Sequence, residues 1–437
     1  MTYHDFLQRK QKQIHPLGID AEQSDIHPML HDWQNDVTRW ACNRGRAAIF
    51  ADCGLGKTFM QIEWARLMHK RGALIVAPLS VARQTVREAN RLGVTINYTR
   101  STPTDDGGIW ITNYEMLHEI DAARFDAVVL DESSILKNYV GKTRTQIIDQ
   151  FKQTPYRLAC TATPAPNDVS ELTNHAEFLG VSTRQDMLGA YFTTNMDNKS
   201  EGGGYRVKGH AKHPMFSWMA QWAVAIRKPS DLGYSDDAYE LPPLNVVPEI
   251  VDVEIVPEDQ LFATELGGVG GRATIRRATL EARVARAAEL VESTTDQWIL
   301  WAGLNDEADA LKRVIDGSVN VEGSWTPDAK AEALEAFQRG EIRVLITKPS
   351  IAGFGMNFQN AHRMAFVGLG DSYESYYQSI RRCYRFGQSK PVYAHVIVSE
   401  LEQQIALNVA RKERVSSEAT DLLVKYQTVT TGEKVSA

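Results

Sequence analysis

The segment Ala51-Asp52-Cys53-Gly54-Leu55-Gly56-Lys57-Thr58 follows the apolar run Ala47–Phe50 and opens an amphipathic stretch. This is the Walker A spacing, with Ala51 in place of the first glycine. Gly54 and Gly56 let backbone N–H groups curl around phosphate oxygens, and the start of the following helix adds its positive end. Lys57 would neutralise the β and γ phosphates, and the Thr58 hydroxyl would ligate Mg²⁺. The pattern points to a nucleoside triphosphate. The alternative is a glycine-rich strand-to-helix turn.

A second constellation, Asp131-Glu132-Ser133-Ser134, ends the apolar run Ala127–Leu130. Two acids at the carboxyl end of a buried strand cost desolvation energy unless a cation or a reaction uses them. Asp131 would hold Mg²⁺, and Glu132 would orient and polarise an attacking water. Alone, the pair could equally cap the next helix; downstream of a Walker A segment the chemical reading is preferred. Arg382 and Arg385 stand three apart and would share one face of a helix. Arg83, Arg87 and Arg91, spaced by four, would form a basic stripe that contacts nucleic acid or is merely solvated. Residues 201–213 carry Arg206, Lys208 and Lys212 beside Tyr205 and four glycines. Two readings stay open there: a loop that closes on a phosphate backbone, or an insertion whose charge is incidental.

These groups need a scaffold. From Ala47 to about Gly180, short apolar runs at 47–50, 73–78, 108–112, 127–132 and 156–164 alternate with helical stretches, which implies a parallel sheet covered on both faces. The pattern stops in a Gly-, Asp- and Pro-interrupted region, then resumes with runs at 250–256, 297–303, 341–347, 363–369 and 392–398. The fold class is therefore α/β with two tandem domains. The boundaries fall at an N-terminal extension over 1–24, a first domain over 25–240 with an insertion at about 186–238, a linker over 241–248 and a second domain over 249–437. Trp218 and Trp222, four apart, are expected to pack a helix onto the first domain.

The 437 residues suit two or three domains. A net charge of −7 excludes nucleic-acid binding by bulk charge, so any such binding must use local basic surfaces. The four cysteines include no Cys-x-x-Cys pair, which argues against a zinc site or a disulfide framework. With a polar N-terminus and no apolar run of 18 residues, neither a signal peptide nor a membrane span is expected, and the protein is expected in a reducing cytoplasm, that of a bacterium or a virus-infected cell.

Taken in order, the motifs resemble those of superfamily 2 DNA-dependent ATPases of the Swi/Snf type. Leu30-His31-Asp32-Trp33-Gln34 resembles the Q motif, and Ala51–Thr58 motif I. Residues 74–80 and 111–115 are similar to motifs Ia and Ib, Asp131–Ser134 with Leu136-Lys137-Asn138 to motif II, and Thr161-Ala162-Thr163-Pro164 with Asn167 to motif III. Gln297–Trp301 occupies the motif IV position; residues 350–357 and 378–388 resemble motifs V and VI.

The resemblance implies two RecA-like domains with ATP and Mg²⁺ in the cleft between them. It implies adenine contact by Gln34, further nucleotide contacts by Gly353 and Gln378, and arginines 382 and 385 reaching the γ-phosphate. Nucleic-acid contacts are expected from backbone groups of motifs Ia, Ib and V, with Thr112, Asn113 and Asn357 as candidates, besides Arg83 of the stripe that follows motif Ia. Ser133-Ser134 replaces the family's usual Ala-His, and the interval from Pro164 to Trp298 is short for a family whose large members carry protrusions there. The compact outline resembles virus-encoded members. The expected activity is translocation along duplex DNA without sequence specificity, driven by ATP hydrolysis. The alternatives are a strand-separating DNA or RNA helicase and an ATP-gated module that recruits a protein partner.

Overall fold

The structure is a computed structural model that describes residues 14–105, 107–194, 204–237, 239–251, 278–352, 356–368, 370, 372–399 and 403–427. The chain forms two compact units. The first comprises Met1–Tyr239 together with Lys412–Ala437, and the second Glu240–Arg411.

The sheet of the first unit has the strands β1 (Arg46–Ala51), β2 (Ala73–Ala77), β3 (Ile96–Tyr98), β4 (Ile109–Asn113), β5 (Ala127–Asp131), β6 (Tyr156–Cys160) and β9 (Ala223–Ile226). They lie in the order β3-β4-β2-β5-β6-β1-β9, with every pairing parallel. Because alternate side chains leave opposite faces of a strand, each strand feeds two cores. Ala47, Ile49 and Ala51 of β1 join one core with Ile75 and Val129, while Ala48 and Phe50 join the other with Leu74 and Leu130. Burial on both faces is why these strands read as continuous apolar runs rather than alternating ones.

The region expected to be an insertion supplies part of this sheet. β9 pairs with β1 and thus closes one edge. The helix Lys212–Met219 precedes it, and Trp218 and Trp222 are buried in the second core, as their spacing suggested. The short strands β7 (Phe192–Thr194) and β8 (Tyr205–Val207) form an antiparallel pair, so the stretch 204–213 is ordered into a strand and a helix rather than an open loop.

The second unit has a six-stranded parallel sheet in the order β10-β15-β14-β11-β13-β12. Its strands are β10 (Leu244–Val251), β11 (Trp298–Trp301), β12 (Val319–Asn320), β13 (Val344–Thr347), β14 (Arg363–Phe366) and β15 (Val392–Ser399). β10 starts inside the expected linker, and the rest of the run at 250–256 lies outside the described residues. Arg283, on the helix Leu280–Glu292, is fully buried and donates to Glu307 Oε1 at 2.8 Å, while Glu307 Oε2 accepts the backbone N–H groups of Gly303 and Leu304. This ion pair is hydrogen-bonded on both sides, which is the condition under which a buried pair is tolerated.

The segment from Lys412 onward groups with the first unit, whereas the sequence boundary assigned it to the second. Ala419 and Leu423 lie in the first unit's core, Arg227 pairs with Asp421, and Lys212 pairs with Glu418. A one-face apolar pattern shows that a helix packs but not on what, so this docking has no local signal. Leu423→Ala should therefore lower the stability of the first unit by about 2 to 4 kcal/mol in denaturant unfolding. A loss under about 0.5 kcal/mol would remove Leu423 from that core.

Candidate functional site: a phosphate loop and two strand-end carboxylates

β1, β6 and β5 are adjacent and parallel, so the segments that leave their carboxyl ends emerge along one edge of the sheet. Ligands of open α/β sheets bind at such edges. After β1 comes the phosphate loop, after β6 comes Thr161, and β5 ends in Asp131 with Glu132 next.

In the loop, Gly54 and Gly56 have φ of 87° and 70°, the left-handed region that glycine enters without steric cost. Gly56 is constrained twice, because a Cβ there would stand 2.4 Å from Gln34 Nε2. The helix Lys57–Met68 starts immediately afterwards. Lys57 Nζ donates to the backbone carbonyls of Ala51 (2.7 Å) and Asp52 (3.1 Å), which holds the ammonium at the loop. Asp52 accepts from the Cys53 N–H, and Thr58 lies in the first turn of the helix.

Gln34, expected to meet adenine, is buried on the helix Asp32–Arg44. Its Nε2 donates to the Leu55 carbonyl at 2.9 Å, and its Oε1 accepts from the His31 N–H at 2.9 Å. The amide braces the phosphate loop from beneath.

Asp131 is buried, and its Oδ1 accepts from Gln61 Nε2 at 2.8 Å. Gln61 lies on the helix that follows the phosphate loop, so the loop's own helix orients the carboxylate. Glu132 has φ 55° and ψ 55°, left-handed for a residue with a side chain. Thr161 Oγ1 donates to Glu132 Oε2 at 3.2 Å and accepts from the Thr163 N–H at 3.1 Å. The carboxylates raise neighbouring acids. Burial, then the Asp131 charge, pushes the Cys160 thiol and the Tyr114 phenol well above their usual values.

Behind these carboxylates, Ser133 Oγ and His175 Nε2 share a hydrogen bond at 3.1 Å, and Asn174 Nδ2 donates to the Leu136 carbonyl at 2.8 Å. Both partners come from the helix Leu172–Leu179. Burial lowers the His175 pKa to about 4, so this imidazole is neutral at neutral pH. A histidine thus reaches the motif II segment from a distant helix, through Ser133. Ser134 Oγ lies 3.5 Å from the Glu132 carbonyl, a weak contact. Glu171 accepts from the N–H and Nδ2 of Asn167, and burial pushes its pKa up to about 7.

In the second unit the two arginines differ. The helix Tyr373–Cys383 ends before Arg385, so they do not share a helical face. Arg382 is 5 % exposed and donates to the Gln378 carbonyl (3.1 Å), Gln378 Oε1 (2.6 Å) and the Met356 carbonyl (3.1 Å). Arg382 is thus bonded to the fully buried Gln378 and to the Met356 carbonyl. Arg385 is half-buried, with Nη1 3.5 Å from the Met356 carbonyl. Gly353 lies outside the described residues.

The expected nucleic-acid residues also divide. Arg83, Arg87 and Arg91 are exposed on the helix Leu79–Arg91, as the spacing suggested, with Arg91 paired to Glu88. Thr112 is fully buried, and Asn113 is buried with Oδ1 accepting from the Tyr98 hydroxyl and Nδ2 donating to Glu115. Consecutive on β4, the two side chains leave opposite faces of the sheet, and both are buried. Lys208 Nζ donates to the carbonyls of Gly189 and Ala190, and Lys212 pairs with Glu418. Arg206 remains exposed on β8. Asn357 is half-buried, its Oδ1 accepting from the Gln359 N–H.

Comparison with known proteins decides the family. An SNF2-related domain matches residues 27–213, and a helicase conserved C-terminal domain matches residues 285–387. This chain is an SNF2-related, helicase-like protein of superfamily 2. YwqA of Bacillus subtilis (strain 168), provisionally named an ATP-dependent helicase/translocase, is 21 % identical over 85 % of this chain and 46 % of its own length. The SWI/SNF-related matrix-associated actin-dependent regulator of chromatin subfamily A-like protein 1 of Xenopus laevis is 22 % identical over 89 % and 43 %, and its Drosophila melanogaster counterpart 22 % over 86 % and 54 %. The SNF2-related chain spans about half the length of these relatives. Among solved structures, the SWI2/SNF2 ATPase core of Sulfolobus solfataricus in complex with dsDNA aligns with 94 % of this chain and 100 % of that one, at 18 % identity and a TM-score of 0.43.

In this SNF2-related site, sequence reasoning missed Gln61, His175 and Glu171, and gave Tyr114 and Thr161 no role beyond their motifs. Gln61 could have been suspected, since an amide on the apolar side of a helix needs a partner. His175 and Glu171 carry no such signal. Glu171 yields a test of the local electrostatics. A carboxyl whose folded pKa is about 7 against an ordinary 4.5 stabilises the fold below pH 4.5, and that contribution is lost as pH rises through 7. The thermal midpoint of Glu171→Gln, relative to wild type, should rise between pH 4.5 and 7. Parallel midpoint curves would show that Glu171 titrates normally.

Proposed function

We propose that this chain is an ATP-dependent motor that couples hydrolysis to movement along duplex DNA without sequence specificity. One observation carries the ATP half: the phosphate loop with Lys57 leaves β1, and the Gln61-held Asp131 and the left-handed Glu132 end the parallel strand β5, with only β6 between them at one sheet edge. The left-handed glycines and the space above Gly56, which admits no side chain, fit a loop that wraps phosphate. Lys57 and the loop N–H groups bind the phosphates, and the adenine lies beside the Gln34 brace. Thr58 and Asp131 would hold Mg²⁺, a hard cation suited to hydroxyl and carboxylate oxygens; bound there, it neutralises phosphate charge.

Glu132 orients the attacking water and polarises it, with Thr161 fixing one carboxylate oxygen. Of the two second-unit arginines, Arg385 is the one to assign to γ-phosphate charge, because Arg382 is buried on Gln378 and Met356. The DNA half rests on the family and on the exposed Arg83-Arg87-Arg91 stripe, which suits a phosphate backbone.

The deciding experiment measures ATP turnover with duplex DNA, single-stranded DNA and RNA in parallel, at several salt concentrations. Duplex should stimulate most, and the stimulation should fall with salt and with Arg83→Ala plus Arg87→Ala. Preferential stimulation by single strands would replace the translocase with a strand-separating helicase. Tight DNA binding with no displacement of a bound roadblock would indicate an ATP-gated binding module. Lys57→Ala should abolish turnover in every case while leaving the thermal midpoint near wild type.

A further inference from the structure

The Tyr114 hydroxyl donates to the backbone carbonyl of Asp131 at 2.6 Å. Tyr114 directly follows β4, and β2 separates β4 from β5 in the sheet, so the side chain reaches past the end of β2 to the end of β5. The carbonyl it holds belongs to the peptide between Asp131 and Glu132. Glu132 is also the non-glycine residue with positive φ among the described residues. Turning that peptide plane changes φ at Glu132, so a hydrogen bond to its carbonyl opposes relaxation out of the left-handed region.

Glu132 is thus held from two sides, at its backbone from the end of β4 and at its carboxylate by Thr161 after β6. A backbone carbonyl can only accept, so the Tyr114 hydroxyl is the donor of this pair. The ring itself packs against the second core of the first unit, which places the hydroxyl without a flexible tether.

We infer that Tyr114 is a positioning residue for ATP hydrolysis, fixing the Asp131–Glu132 peptide in the orientation from which Glu132 addresses the attacking water. This rests on the function proposed above. It also gives the motif Ib segment a task inside the ATP site, separate from the nucleic-acid contact first expected of it.

Tyr114→Phe removes the hydroxyl and keeps the ring. We expect kcat to fall about fivefold to tenfold, the range set by one neutral hydrogen bond. The KM for ATP and the thermal midpoint should stay near wild type. A double-mutant cycle tests whether the effect runs through Glu132: in a Glu132→Gln background, Tyr114→Phe should cause no further loss in single-turnover rate. Wild-type kcat in Tyr114→Phe would overturn the inference, as would a full additional loss in the Glu132→Gln background. A joint fall in kcat, ATP affinity and thermal midpoint would also overturn it, returning Tyr114 to packing. If the wild-type chain hydrolyses no ATP with any nucleic acid, the functional reading fails instead, so the two failures are distinguishable.

Discussion

β6 lies between β1 and β5 and is hydrogen-bonded in parallel to both, with Ile49 and Asp131 each level with Cys160. This lateral order brings three segments far apart in sequence to one edge. It sets the Glu132 carboxylate within reach of Thr161 and leaves the phosphate loop one strand further along. The apolar strands supply the energy for the arrangement through two cores, and the site residues need only occupy the positions where those strands stop.

Around that edge the chain uses neutral donors to fix charged groups. Gln61 holds Asp131, Thr161 holds Glu132, and Gln34 braces the loop that carries Lys57. A neutral donor keeps an ionised carboxylate satisfied in a buried place without cancelling the charge that a cation or water must meet. Left-handed backbone at Glu132 costs on the order of 1 to 2 kcal/mol, which the surrounding hydrogen bonds must offset. Such strain persists where neighbours over-determine it, and here the neighbours are β6 and the turn after β4.

Much of this was legible in the sequence because it depends on local rules. Apolar runs between turn residues located β1, β2, β4 and β5 to within about a residue and the start of β6, and the glycines of the phosphate loop announced their backbone. β9 was missed because Ala223–Ile226 sits in a stretch broken by glycines and prolines, and nothing local shows that it pairs with a strand some 175 residues earlier. The start of β10 was hidden by Pro243 and Pro248, which read as linker. Side-chain commitments were least legible. Arg382, Thr112 and Asn113 sit in recognisable motifs, but their burial depends on long-range packing, as do the carbonyl and carboxylate partners of Lys208 and Lys212. The docking of residues beyond Lys412 on the first unit is likewise a tertiary fact.

In the proposed reaction Glu132, at the end of β5, acts on the hydrolytic water and not on nucleotide binding. Glu132→Gln preserves volume and removes the charge. Fluorescent-ATP binding and single-turnover hydrolysis, measured on the same preparation with saturating duplex DNA, separate the two roles. The account predicts a Kd within about threefold of wild type, and a hydrolysis rate lower by a factor of about 10² or more, on the scale of removing a group that acts in the transition state. A near-wild-type hydrolysis rate, or loss of ATP binding in step with loss of hydrolysis, would contradict it.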